Sequence, residues 1–202
     1  MSGAFDTSLM LRSMTGQIGG NPEYMAIGAP YAGYATPTDM FTLINPLASG
    51  KLLCVRAMVL ASKSTAATLL TFEWHRRAIL NTAGTGTPTD IAAAKYDSRD
   101  AAAVGIARLY GSLPTINDAN SAANFISTQI ALTALITAAP ALYAIAGTGL
   151  FPTNGNIQDI SSPLMILQGQ QLSMTLLGAA LPAGFTAIPM VQWAEYDLRN
   201  AI

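Results

Sequence analysis

The sequence predicts an all-β protein: a β-sandwich or jelly-roll-like domain with an extended Gly/Pro-rich N-terminal arm. Two observations carry the fold class. Apolar and polar residues alternate with a period of two in several short stretches, and Gly/Pro turns separate those stretches at short spacing. A third observation concerns the surface. Only 10 % of the 202 residues are charged, where an ordinary soluble domain carries roughly 25 %.

Residues 1–48 are read as the arm. The stretch "GGNPEYMAIGAPYAGYATPTD" is rich in glycine and proline, which favour turns and extended backbone. It either lies on a neighbouring subunit or wraps its own domain. Residues 49–202 are read as the sandwich. "KLLCVRAMVLAS" (51–62) alternates Leu53, Val55, Ala57 and Val59 against Cys54, Arg56, Met58 and Leu60. "TLLTFEWHRRAIL" (68–80) alternates more sharply, with Leu70, Phe72 and Trp74 on one face and Thr71, Glu73, His75 and Arg77 on the other. "NTAGTGTPTD" (81–90) is a loop by composition, and "VGIARLYG" (104–111) a short strand. The C-terminal part reads as strands over 163–168, 171–177 and 185–197, joined by "GQ" and by "GAALPAG". No internal repeat divides the chain.

The run "IALTALITAAPALYAIAGTGLF" (130–151) is uncharged and long enough to cross a bilayer. Its content argues otherwise. Pro140, Gly147 and Gly149 interrupt it, much of the rest is alanine, and no Lys or Arg flanks it to anchor a span. From Ile126 the even positions read Ile, Thr, Ile, Leu, Ala, Ile, Ala, which fits a covered strand followed by a loop. A helix capped at Asn120 or Ser121 competes on propensity. No membrane partner is expected.

Net charge is −1, from 10 basic and 11 acidic residues, so nothing in the balance favours nucleic acid. Between Asp118 and Glu195 the one charged residue is Asp159. A surface that poor in charge is expected to be covered by partners in an assembly. The single cysteine, Cys54, precludes an internal disulfide and reads as a small core residue. The start "MSGAFDTSLMLRSMTGQIGG" has no basic segment followed by an apolar one, so synthesis in a reducing cytoplasm is expected.

Chemistry is sparse. His75, the sole histidine, shares a strand face with Glu73, as a general base and its orienting carboxylate would. No nucleophile is visible beside them, and a solvated polar face accounts for "EWHRR" equally well. Asp97 and Asp100 in "KYDSRD" lack a calcium-loop pattern. "GTGTP" (84–88) and "GTG" (147–149) lack the lysine of a phosphate loop and read as turns. Arg76 and Arg77 have no aromatic platform beyond Trp74 for single-stranded nucleic acid. Glu195 and Asp197 share a face but, two residues apart, read as solvated acids rather than a glycosidase pair. No catalytic residue, cofactor site or metal site is assigned, and the chain is read as not an enzyme.

The segments "SGKLLCVRAMVLAS" from residue 49, "GTGTPTDIAAAKYDSRDAAA" (84–103) and "SPLMILQGQQLSMTLLGAALPAGFTAIPMVQWAEY" (162–196), in that order, resemble tailed-bacteriophage virion structural proteins of the capsid decoration or cement type. The resemblance rests on the early strand, the Gly/Thr-Pro loop leading into "KYDS", and "ALPAG" before a strand holding Gln192, Trp193 and Glu195. It implies a β-sandwich that decorates or cements a phage capsid in the virion, with the major capsid protein and further copies of itself as partners, a trimer being favoured. The alternative is a carbohydrate- or receptor-binding sandwich on a head fibre or tail, which requires an exposed aromatic groove from Tyr31, Tyr34, Trp74 or Trp193.

Overall fold

The computed structural model describes residues 21–29, 38–63, 68–118, 124–132, 141–144, 164–177 and 185–198. These form twelve strands in two antiparallel sheets. They are β1 (Glu23–Ile27), β2 (Thr38–Ile44), β3 (Lys51–Lys63), β4 (Thr68–Arg77), β5 (Thr89–Ile91), β6 (Ala94–Lys95), β7 (Ile106–Leu109), β8 (Asn124–Leu132), β9 (Ala141–Ala144), β10 (Met165–Ile166), β11 (Gln171–Leu177) and β12 (Thr186–Asp197). The first sheet runs β10-β3-β12-β1-β6, with β9 also on β3, and the second runs β5-β7-β2-β11-β4-β8. The all-β sandwich read from the sequence is the fold observed.

The sheet begins earlier than residue 48. β1 pairs with β12 from Glu23↔Ala194 to Ile27↔Met190, and β2 lies between β7 and β11. Every residue of β2 is buried, so "TDMFTLI" is an interior strand and not part of an arm. Residues 1–20 and 30–37, where the rest of the arm was placed, lie outside the described residues. Of the 130–151 run, Ile130, Ala131 and Leu132 close β8, 141–144 form β9, and the remainder lies outside the described residues. Among the described residues, no helix is long and apolar enough to cross a membrane.

Among the described residues, strands that are consecutive in sequence do not pair with each other. The turns at 45–50 and 167–170 carry the chain from one sheet to the opposite one, so "GQ" joins β10 to β11 across the sandwich and not within a hairpin. Gly50 (φ 67°) and Gly169 (φ 73°) supply the left-handed backbone these two crossings need. Asn45 holds the crossings together: its Nδ2 donates to Lys51 O and Ile166 O, both at 2.9 Å, and Ser49 Oγ donates to its Oδ1 at 2.6 Å.

Between the sheets lie Tyr24, Leu53, Val55, Val191 and Trp193 from the first, with Phe41, Leu43, Leu109, Leu172 and Met174 from the second. Burying each of the larger apolar side chains contributes about 1.5–3 kcal/mol. Cys54 is buried, as its strand predicts. Trp193 is completely inaccessible, its ring 5.7 Å from that of Tyr24.

Candidate functional site

The most concentrated polar chemistry lies on the face of the second sheet that points away from this core. Strand alternation places Gln171, Ser173 and Thr175 of β11 beside Arg77, His75 and Glu73 of β4, and Thr42 of β2 opposite Ser173. A bulge in β2 adds Asp39 to the same row. Phe41 pairs with Met174 and Asp39 with Thr175, so Met40 is the extra residue. The bulge lets Met40 and Phe41 both join the core while Asp39 turns to the polar side.

This face is not solvated. Asp39, Thr42, Gln171 and Ser173 are completely buried, and Glu73, Arg77 and Thr175 nearly so. The solvated reading of "EWHRR" is therefore corrected for Glu73 and Arg77; Arg76 remains exposed. Residues 78–82 and 115–118 return against the face. Asn81 N–H donates to Gln171 Oε1 at 3.0 Å, Arg77 Nη1 donates to Asp118 O at 3.1 Å, and Asp118 Oδ2 accepts from Ala78 N–H at 2.6 Å. Thr82 and Thr115 form a bridge within this covering layer.

Asp39 is the centre of the layer. Its Oδ2 accepts from Arg77 Nε at 2.5 Å and Asn81 Nδ2 at 2.6 Å; its Oδ1 accepts from Arg77 Nη2 at 2.6 Å and Thr175 Oγ at 2.5 Å. Burial is the largest single influence on this carboxyl and pushes its pKa up. The hydrogen bonds from Arg77, Thr175 and Asn81, with the Arg77 charge, together outweigh burial and hold it below the ordinary value. Tyr110 is buried in the same layer, and burial raises the pKa of its phenol. A carboxylate with two donors on each oxygen has no lone pair directed at a substrate or metal. It fastens the covering layer to the sheet.

The pair singled out in sequence does meet. His75 Nε2 and Glu73 Oε2 are 2.9 Å apart. Ser173 stands opposite His75 in the β4–β11 register, so the residue types of a Ser-His-acid triad lie on one face. Their geometry does not make one. His75 Nδ1 has no hydrogen-bond partner among the described residues. Ser173 is completely buried, and its hydroxyl accepts from Gln171 Nε2 at 2.8 Å. A nucleophile needs its base in hydrogen-bond reach and a route for substrate, and Ser173 has neither.

Glu195 is also not the solvated acid its spacing suggested. It follows Val191 and Trp193 in the inward row of β12 and is buried. Its Oε1 accepts from Val104 N and Gly105 N, each at 2.8 Å, and from Trp193 Nε1 at 3.1 Å. The same strand end is fixed by Tyr24, whose hydroxyl donates to Ala101 O at 3.1 Å. Burial, then the charges of Glu195 and Asp100, push the Tyr24 phenol up to about 12. Asp197 is exposed and pairs with Lys51 at 2.7 Å, so the two acids do different things.

The remaining candidates are surface or turn features. Asp97 turns to Arg99 at 2.6 Å, and no group of three or more potential metal ligands forms among the described residues. Gly84 is a close-approach glycine, since a Cβ there would sit 2.1 Å from Leu113 O, and Gly86 N–H donates to Ser112 Oγ at 2.6 Å. The "GTG" at 147–149 lies outside the described residues. Of the aromatic groove, Trp193 is excluded by burial; Tyr31, Tyr34 and the Trp74 side chain lie outside what is described.

Asp39, Asn81, Tyr110, Gln171 and Thr175 were not singled out by sequence reasoning. Polar alternation in "QLSMTLL" and "EWHRR" shows that a polar face exists. It cannot show that residues 78–82 and 115–118 fold over it. No family model, no curated protein and no solved structure matches the chain.

Proposed function

We propose that this chain is a non-enzymatic structural protein of a tailed-phage virion, which decorates or cements the capsid by contacts with the major capsid protein and with further copies of itself. The observation that carries the reading is the distribution of charge. From residue 119 to 194 the one charged residue is Asp159. Among the described residues, five ion pairs match charges within the chain: Lys51 with Asp197, Arg56 with Glu23, Arg77 with Asp39, Arg99 with Asp97 and Arg108 with Asp90. A surface of that kind coheres through apolar contact and backbone hydrogen bonds, which is how large permanent interfaces hold. The buried polar groups support the same reading, because Asp39 and Glu195 are committed to holding segments of this fold.

The test is co-expression of this chain with the shell-forming protein of the same genome, followed by sedimentation of the shells and measurement of their melting temperature. Co-sedimentation at a fixed stoichiometry, with a melting temperature raised by several degrees, is the expected result. Shells that form without the chain bound, and melt at the same temperature in its presence, would remove the reading.

A further inference from the structure

Among the described strands, those that close the sheets differ sharply in length. β5 has three residues and carries Asp90, which is paired with Arg108; β6 has two, including Lys95; β10 has two and β9 four. Short and charged edges are how sheet proteins avoid unwanted pairing. β8 is different. It has nine residues, "NFISTQIAL", with no charge, proline or glycine. Among the described strands it pairs with β4 alone, from Thr68↔Leu132 to His75↔Asn124. About half of its N–H and C=O groups therefore point along the sheet away from β4.

We infer that β8 is a subunit contact, at which the β8 strand of a second copy of this chain adds antiparallel to extend the second sheet across a two-fold axis. Length selects this occupant. Among the other described edge strands the longest is β9, with four residues. Another β8 matches all nine.

Register agrees. A two-fold at Thr128 sets Ile126 opposite Ile130 and Ser127 opposite Gln129, equidistant pairs in the sequence. Positions on one sheet face thus meet positions on the same face, and no slip between the apolar and polar rows arises. In the β4 register Ile126, Thr128 and Ile130 share the face of Trp74, Phe72 and Leu70, while Ser127 and Gln129 share that of Glu73 and Thr71. No like charges are brought together. The particle so formed is a dimer or a closed oligomer containing two-folds, in place of a bare trimer.

The contact serves the assembly reading and rests on it for its purpose, but its test is separate. In the full chain, Ser127→Lys with Gln129→Lys places lysine against lysine twice across the proposed two-fold. Ser127→Lys with Gln129→Glu places lysine against glutamate twice. Both variants keep a lysine beside Glu73 of β4. Sedimentation equilibrium of the original chain is expected to give a dimer. The Lys/Lys variant raises the dissociation constant about tenfold or more with unchanged circular dichroism, and the Lys/Glu variant restores it.

An original chain that is monomeric or strictly trimeric at every concentration, or a Lys/Lys variant that dimerises as well as the original, overturns the inference. If the Lys/Lys variant does not fold, hydrogen exchange of the original chain decides. Protection of β8 amides that rises with concentration supports the contact, and protection independent of concentration overturns it. A dimer broken by Lys/Lys that does not bind shells leaves this edge standing and removes the cement reading. A trimer that binds shells does the reverse.

Discussion

Asp39 accepts four hydrogen bonds inside the protein, and that number sets what its partners are worth. Removing one member of a buried ion pair leaves the other charge without compensation, which costs about 3–5 kcal/mol. Arg77→Met is therefore expected to lower the urea-unfolding free energy by that amount, and Asp39→Ala added to Arg77→Met recovers a large part of it. Acid titration reads the same group. Because the folded carboxyl sits below its ordinary value, the unfolded chain binds the proton more readily. The stability Asp39 contributes is then fully present above about pH 4, the unfolded value, and is lost as pH falls through the lower folded value. A urea series across acidic pH should show this loss in the original chain and a shallower one in Asp39→Asn.

At the scale of elements, the covering layer of residues 78–82 and 115–118 depends on a close approach between the backbone after 82 and the backbone before 115. Gly84 lies against the Leu113 carbonyl so closely that any Cβ must push the backbone apart. Gly84→Ala is expected to speed hydrogen exchange at Thr82 and Thr115, whose amides bond each other's carbonyls at 3.1 and 2.9 Å. Exchange in β11 and β12 stays unchanged; slowing or no change at Thr82 and Thr115 would show that the layer is held elsewhere. The strands themselves were legible. "KLLCVRAMVLAS", "TLLTFEWHRR" and "QLSMTLL" carry a period of two that few helices tolerate. β2 was not, because "TDMFTLI" is buried on both faces, and its bulge at Met40 shifts the alternation midway. The site was legible by half: His75 and Glu73 share a face as their spacing requires, but Asn81 and Asp118, which bond to Gln171 and Arg77 of the same face, come from stretches with no periodicity to place them.

Across the whole molecule, the described strands that follow one another in sequence never pair. β1 meets β12, β2 meets β7 and β11, and β4 meets β8 and β11. A sequence displays local periodicity, and these partners are distant, so strand positions could be read while sheet order could not. Such non-local pairing places folding in the slow, millisecond-to-second class. The same scale governs association. The proposed interface has no charges and gains nothing from unscreened attraction, so raising salt from about 0.1 M to about 1 M, where the screening length falls from ~10 Å to ~3 Å, should leave the self-association constant unchanged or strengthen it. Analytical ultracentrifugation across that range checks this, and a marked weakening would point to an ionic contact.

The place of β12 has one more consequence, in the order of synthesis. It lies between β3 and β1 and pairs with both, from Lys51↔Asp197 and Glu23↔Ala194 onward. Until the ribosome has released residues 186–197, β1 and β3 have no strand to join them, and Trp193 is missing from the core they share. A chain halted before that point cannot close the first sheet. The first sheet is therefore completed only once β12 is made, and a copy truncated before residue 186 lacks the strand that joins β1 to β3.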